Sequence, residues 1–151
     1  MLPSTHHPPP RGARQWRPNL IGYDALRVYG SPSYYAIKMF STHLANQILK
    51  AAATDTDVLV SATRDSRSGT MYVKLVNPTD ADAPLHINLQ GVRRIASTAT
   101  AEILAADPKA TNSIDSPRTV YPSMSEISGV NVAFTYTVPS HGIVVLMLET
   151  R

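Results

Sequence analysis

The stretch Gly30-Ser31-Pro32-Ser33-Tyr34-Tyr35-Ala36-Ile37-Lys38-Met39-Phe40-Ser41-Thr42-His43 predicts the start and the body of an α-helix. Ser31 is a good N-cap, because its hydroxyl oxygen can accept a hydrogen bond from a free backbone N–H group. Pro32 fits the first helical position, where its missing N–H costs nothing. We therefore expect a helix from Pro32 to about Leu44.

This helix carries apolar residues on two sides. Phe40 and Leu44 lie four residues apart, so we expect them to pack on the rest of the chain. Tyr34, Tyr35 and Met39 would then remain uncovered. An exposed apolar patch of this kind favours contact with another protein surface, either a second copy of the chain or a domain outside it.

A short strand and a loop precede the helix. The apolar run Leu20 to Tyr23 predicts a buried strand, and Asp24 to Gly30 predicts a loop. The order strand, loop, helix is half of a βα repeat. In parallel (β/α) barrels the loops after the strands carry the chemistry, so Asp24 and Tyr29 are candidate site residues. The alternative is that this loop only leads the chain into the helix.

The sequence after the helix alternates between apolar and polar residues with period two, which indicates β-strands. The predicted strands are Ile48 to Ala53, Asp57 to Thr63, Thr70 to Asn77, Leu85 to Leu89, Thr98 to Leu104, Val130 to Val138 and Ile143 to Glu149. Short strands separated by turn signals are typical of an antiparallel β-sandwich. Ile143 to Leu148 is apolar on both faces and belongs in the middle of a sheet. For Asp107 to Gly129 we predict an ordered crossover loop.

The composition of the 151-residue chain excludes several classes of protein. Without cysteine there are no disulfides, no Cys-ligated zinc and no thiol nucleophile. The net charge of +3 comes without a basic run interleaved with aromatic residues, which argues against nucleic-acid binding. No apolar run approaches the roughly 18 residues of a membrane span. Met1 to Pro10 does not resemble a secretory signal, so a cytoplasmic location is the default expectation.

The acidic residues and histidines form no recognisable catalytic motif. The three glutamates, Glu102, Glu126 and Glu149, lie on separate predicted elements, and we expect each to be a solvated surface carboxylate. His6 and His7 are adjacent in a proline-rich tail, but a metal site there would need a third ligand nearby. The sequence therefore predicts no catalytic residue, no metal site and no cofactor.

Two groups of motifs follow one another in the chain. The first is Trp16 to Asp24, followed by Tyr29 to Tyr35. The second consists of Val73 to Asn77, Asn112 to Pro117, Val120 to Pro122 and Pro139 to Leu146. Together they resemble the end of the catalytic barrel and the C-terminal β-sandwich of the α-L-arabinofuranosidases of glycoside hydrolase family 51.

The resemblance implies a mainly β fold: an antiparallel, jelly-roll-like β-sandwich preceded by a short strand and one α-helix left from a (β/α)8 barrel. It implies a barrel remnant over residues 16–45 and the sandwich over 46–151, and the proline-rich composition of residues 1–15 predicts a disordered tail before them. Members of the family are retaining enzymes that release terminal arabinofuranose from plant polysaccharides with two glutamates. No glutamate in this chain matches either of their motifs.

The function implied by the resemblance is structural: the C-terminal part of an α-L-arabinofuranosidase, inactive by itself, with Asp24 and Tyr29 facing substrate in an intact enzyme. The implied partners are the missing barrel domain, or a second copy bound through the exposed helix, and an arabinose-containing polysaccharide. The alternative is a stand-alone carbohydrate-binding module. Few aromatic residues are available for such a module, since Phe134 and Tyr136 share a core-like face with Val132.

Overall fold

The structure is a computed structural model that describes residues 19–150. The predicted tail over residues 1–15, with His6 and His7, lies outside the described residues. The elements are β1 Ile21–Tyr23, β2 Val28–Gly30, α1 Pro32–Thr42, β3 Gln47–Leu49, β4 Leu59–Arg64, β5 Thr70–Asn77, β6 Ala83–Asn88, β7 Thr98–Leu104, β8 Ser123–Ser128, β9 Ala133–Val138 and β10 Gly142–Glu149.

The strands form three antiparallel sheets in the described part of the chain. The large sheet has six strands in the order β3-β4-β5-β10-β7-β8, and β6 pairs with β9 in a separate two-stranded sheet. The third sheet is the β1–β2 hairpin ahead of the helix. The prediction of a mainly β, antiparallel sandwich preceded by one helix is confirmed.

Strand β10 is the centre of the large sheet. It pairs with β5 from Gly142, opposite Asn77, to Glu149, opposite Thr70, and its other edge pairs with β7. Its side chains are buried on both faces of the sheet, which confirms the interpretation of its continuous apolar sequence.

The main core lies between the large sheet and the β6–β9 pair. It contains side chains from β5, β7, β9 and β10, among them Met71, Val73, Leu75, Ala101, Phe134, Val138, Val144, Leu146 and Leu148. Phe134 is in this core as predicted, with 7% of its surface exposed. Val132 was expected on the same face, but it is exposed. It precedes β9, where its carbonyl oxygen accepts a hydrogen bond from the Leu89 backbone N–H.

The helix packs on the outer face of the large sheet. Ser31 caps it as predicted, accepting a 3.2 Å hydrogen bond from the Tyr34 backbone N–H. The packing face agrees only in part with the predicted one. Phe40 is half-buried against Lys74 of β5, but Leu44 is 70% exposed. Met39 is 1% exposed and packs with Leu104, Val120 and Val145.

Two strands lie in segments predicted to be loops. Strand β8 lies inside Asp107 to Gly129, and β2 inside Asp24 to Gly30. Strand β8 forms one edge of the large sheet, and all but one of its residues are exposed, so it lacks the apolar alternation that marks a core strand. The first predicted strand after the helix is reduced to Gln47–Leu49, at the other edge.

Candidate functional site

The predicted substrate-facing residues lie on the β1–β2 hairpin. Gly22 pairs with Tyr29 and Tyr23 with Val28, so the expected βα loop is a turn and a returning strand. The turn is closed by a 2.9 Å hydrogen bond from the Asp24 backbone N–H to the carbonyl oxygen of Arg27. Asp24 is in the turn and Tyr29 is half-buried in the middle of β2.

The Asp24 carboxylate holds this turn together. Its Oδ1 accepts hydrogen bonds from the backbone N–H groups of Leu26, at 2.9 Å, and Arg27, at 2.7 Å. Its Oδ2 accepts from the Arg27 guanidinium at 3.0 and 3.1 Å. The Leu26 hydrogen bond above all, with those from Arg27, lowers the pKa of Asp24 below its ordinary value. Asp24 is therefore ionised at neutral pH and is unsuited to act as a general acid.

Arg27 connects the hairpin to the crossover loop. Besides Asp24, its guanidinium donates a 3.1 Å hydrogen bond to Asp115. These two carboxylates raise the pKa of Arg27 above its ordinary value, and the hydrogen bond to Asp24 has the larger effect. The pairs are exposed to solvent, so their role is to orient the turn more than to stabilise the fold.

A buried asparagine fixes the base of the hairpin. Asn112 donates hydrogen bonds from Nδ2 to the carbonyl oxygens of Gly30, at 2.9 Å, and Val120, at 2.8 Å, and its Oδ1 accepts from the Val120 backbone N–H at 2.7 Å. Gly30 itself has no room for a side chain, because a Cβ there would overlap the Tyr34 ring. Asn112 begins the motif Asn112 to Pro117, which gave no sign of this role in the sequence.

Three tyrosines form a cluster beside the hairpin. The rings of Tyr34 and Tyr35 meet edge to face at 5.2 Å, and Tyr35 meets Tyr121 at 4.8 Å. The Arg118 guanidinium lies 4.8 Å from the centre of the Tyr121 ring. Tyr34 and Tyr35 are half-buried and in edge-to-face contact with each other, which corrects the prediction of an exposed patch.

The three glutamates lie on strands of the large sheet, Glu102 on β7, Glu126 on β8 and Glu149 on β10. Glu102 was expected to be solvated, but it is half-buried, and its Oε2 lies 3.4 Å from Nδ1 of His43. The same nitrogen lies 2.9 Å from the carbonyl oxygen of Met39, at the end of the helix. Glu126 on β8, which pairs with Thr100 of β7, and Glu149 on β10 are exposed.

Within residues 19–150 no group of three or more His, Asp or Glu side chains is placed to hold a metal ion. The single helix described there is too short and too polar to span a membrane.

Comparison with known proteins gives a consistent result. The family model described as the α-L-arabinofuranosidase C-terminal domain matches residues 13–142. The chain is 44% identical over 90 residues to an extracellular exo-α-L-arabinofuranosidase of Streptomyces chartreusis, covering 59% of this chain and 10% of that protein. It is 34% identical over 140 residues to α-L-arabinofuranosidase A of Aspergillus niger, covering 87% of this chain and 21% of that protein.

Solved structures agree with this match. An arabinose-bound α-L-arabinofuranosidase named MgGH51 superimposes with a TM-score of 0.85 at 29% identity, covering 91% of this chain and 22% of that one. The enzyme of Thermotoga petrophila RKU-1 shares the fold, with a TM-score of 0.76 at 16% identity over 85% of this chain and 31% of that one. The chain thus spans about a fifth of the length of the Aspergillus relative. It belongs to the C-terminal domain family of the glycoside hydrolase family 51 α-L-arabinofuranosidases.

Proposed function

We propose that this domain is the structural C-terminal part of an α-L-arabinofuranosidase that releases terminal arabinofuranose from arabinose-containing plant polysaccharides. In this proposal the catalytic carboxylates come from a barrel domain, and the described chain supports that barrel. The observation that carries the proposal is an exposed apolar groove that runs along α1.

An apolar groove runs along α1, beside its contact with Lys74 of the large sheet. Its volume is about 510 Å³, and it is lined by Ala36, Ile37, Phe40, Ser41, Leu44 and Lys74. Ile37 is 55% exposed and Leu44 is 70% exposed, and nearby elements expose Ile48 and Leu59 as well. Large apolar side chains grouped on one surface are typical of an interface with another protein surface.

The occupant we propose for this groove is the catalytic barrel. The relatives are several times longer than the chain, and the matched family is described as a C-terminal domain. A helix with one side on the sandwich and an apolar second side fits a position between two domains. Accordingly we assign residues 16–45 to the barrel side of the junction and residues 46–151 to the sandwich.

The β1–β2 hairpin has a separate role in this proposal. Asp24 holds the turn, and Tyr29 is the residue that would meet the sugar. Two hydrogen bonds that anchor the hairpin support this role. Asn112 binds the carbonyl oxygen of Gly30 at the base of the hairpin, and Arg27 in its turn binds Asp115. A rigid hairpin can hold a tyrosine hydroxyl in a fixed place beside a substrate.

Complementation tests the main proposal. The chain is mixed with a related α-L-arabinofuranosidase from which the region matching this chain has been removed, and hydrolysis of an aryl α-L-arabinofuranoside is followed. We expect turnover only from the mixture. Ile37→Asp and Leu44→Asp should abolish it, because they place charges in the groove, whereas Met124→Asp, an equally exposed apolar residue on β8, should not. Equal loss with all three variants would contradict a specific interface.

Two further measurements refine the test. Sedimentation of the chain alone distinguishes a barrel partner from a second copy: a dimer that Leu44→Asp dissociates would assign the groove to self-association. In the reconstituted enzyme Tyr29→Phe should raise KM, because it removes one hydroxyl from the proposed sugar contact. An unchanged KM would remove Tyr29 from the site and leave the docking proposal intact.

A further inference from the structure

We propose that the loop leading into β7 forms a binding groove for carboxylate-bearing sugars, that is, uronic acid units of an acidic polysaccharide. The groove has a volume of about 580 Å³ and is lined by residues 93–98 together with Asn131 and Val132. We call it the arginine groove, after Arg93 and Arg94. Its volume is within the range of small-molecule sites, roughly 300–1,000 Å³.

Backbone hydrogen bonds hold the walls of the arginine groove. Ile95 forms a β-bridge with Thr150, and the Ala96 N–H donates to the carbonyl oxygen of Glu149 at 2.9 Å. The opposite wall is tied by a 3.0 Å bond from the Val130 N–H to the carbonyl oxygen of Ser97. The groove is therefore formed by the fold before any ligand binds, and little ordering of the backbone opposes binding.

The two arginines have unused hydrogen-bond donors. Within residues 19–150 neither guanidinium makes a hydrogen bond or ion pair, whereas Arg27 is bound by two aspartates and Arg118 lies over Tyr121. Each guanidinium carries five N–H donors in a planar fork that matches a carboxylate. Two neighbouring cations at a concave surface also create a positive potential that attracts an anion.

The remaining lining favours a sugar over other anionic ligands. Ile95, Ala96 and Val132 offer an apolar surface for the C–H face of a sugar ring. Asn131 uses its Oδ1 to accept from the Ala133 N–H at 2.8 Å, which leaves its amide N–H groups for a sugar hydroxyl. The groove contains no aromatic ring on which a nucleic acid base would stack.

The arginine groove and the start of α1, which follows the hairpin, lie at opposite ends of β7. The groove opens at the first residue of β7, whereas Pro32 and Ala36 line a cavity together with Leu104, the last residue of that strand. A seven-residue strand is roughly 23 Å long. A bound uronate would thus hold the polymer at a second point. The proposal that the ligand is a sugar rests on the proposed function, whereas the proposal that the ligand bears a carboxylate rests on Arg93 and Arg94.

The test is an amide NMR titration of the full 151-residue chain. The probes are a glucuronic-acid-substituted xylo-oligosaccharide, the unsubstituted oligosaccharide of the same length, and sodium sulfate at matched ionic strength. We expect the acidic sugar alone to shift the amides of residues 93–98 and Asn131. Arg93→Gln with Arg94→Gln should weaken binding about tenfold, because it removes both charged forks.

The controls separate local recognition from net charge. Lys50→Gln with Lys109→Gln also removes two positive charges, but from exposed positions outside the groove. This variant should change the affinity by less than about twofold. Equal shifts with sulfate or with the neutral oligosaccharide, unchanged binding by the double Arg→Gln variant, or tighter binding of a single-stranded oligonucleotide would each overturn the proposal. Because titration needs no barrel, failed complementation with intact uronate binding would reject only the proposed function.

Discussion

Lys74 donates a 3.0 Å hydrogen bond from Nζ to the carbonyl oxygen of Phe40 and so joins the outer face of the sheet to the end of α1. The ammonium also lies 5.2 Å from the centre of the Phe40 ring. Lys74 is only 6% exposed, and this burial lowers the pKa of its ammonium below the ordinary value. A positive charge at the C-terminal end of a helix interacts favourably with the carbonyl groups that have no partner in the helix.

Lys74→Met should lower the free energy of unfolding by roughly 1–2 kcal/mol. The variant keeps most of the side-chain volume but leaves the Phe40 carbonyl oxygen without this donor. Part of that cost is offset because a buried charge is also removed. Urea unfolding measures the effect, with the exposed Lys50→Met as the matched control. A more stable Lys74→Met variant would show that the burial of the charge outweighs the hydrogen bond.

The difference in unfolding free energy between the wild type and Lys74→Met should change with pH in a direction that the pKa of Lys74 determines. Because the pKa of Lys74 is lower in the folded state, the unfolded chain binds more protons between the folded pKa and the ordinary value of about 10.5. The stability contributed by Lys74 therefore rises with pH in that window, and the Met variant lacks this gain. We expect the difference in unfolding free energy between the wild type and Lys74→Met to widen as the pH rises toward 10.5. A difference in unfolding free energy that stays constant with pH would contradict this prediction.

Met39→Ala should cost roughly 2–5 kcal/mol, because Met39 fills the contact between α1 and the sheet. Leu44→Ala should cost less than about 0.5 kcal/mol, since Leu44 is exposed and lies beyond the last residue of the helix. Thermal and urea unfolding of the two variants provide the comparison. The reverse order would restore the packing expected from the spacing of Phe40 and Leu44.

The helix shows what sequence patterns can and cannot decide. Its start was predictable, because capping by Ser31 depends on local backbone geometry. Its packing face was not, because Tyr35 and Met39 recur at the same spacing as Phe40 and Leu44, and only the outer face of the sheet selects between them. Strand β10 was placed correctly because burial on both sides leaves a continuous apolar run.

The candidate site also combines features that the sequence predicted with features that it did not. Asp24 and Tyr29 were predicted as site residues from the resemblance and from their position before the helix. The strand that carries Tyr29 was not predicted, because its three residues are too few to show an alternating pattern. Asn112, which ties Gly30 to Val120, had no local signal, because its three hydrogen bonds reach partners 8 and 82 residues away. The arginine groove joins two loops about 35 residues apart, so no motif could indicate it.

Phe134→Ala should cost roughly 3–5 kcal/mol, because Phe134 is in the core between the two sheets, paired across from Ile87. The neighbouring Thr135→Ala, on the exposed face of β9, is the matched control and should change the stability by less than about 0.5 kcal/mol. A cost for Phe134→Ala below about 1 kcal/mol would place the ring at the surface and revive the carbohydrate-binding alternative.

The chain alone should not hydrolyse an aryl α-L-arabinofuranoside. Retaining hydrolysis requires two carboxyl groups about 5–5.5 Å apart, one protonated and one ionised. Asp24 is bound by Arg27 and its pKa is lowered, which keeps it ionised and engaged in the turn. Glu102 contacts His43, and Glu126 and Glu149 are exposed at separate places on the large sheet.

The measurement is turnover by freshly purified chain, compared with buffer and with a Glu102→Gln variant. Both proteins should give the buffer rate, since Asp24 is bound by Arg27, Glu102 contacts His43, and Glu126 and Glu149 are exposed on the surface. Turnover above background that disappears in Glu102→Gln or Glu126→Gln would place a catalytic group on the outer face of the sheet. Turnover that survives both variants but follows a minor chromatographic fraction would identify a contaminating enzyme, so activity must be shown to elute with the 16.4 kDa chain.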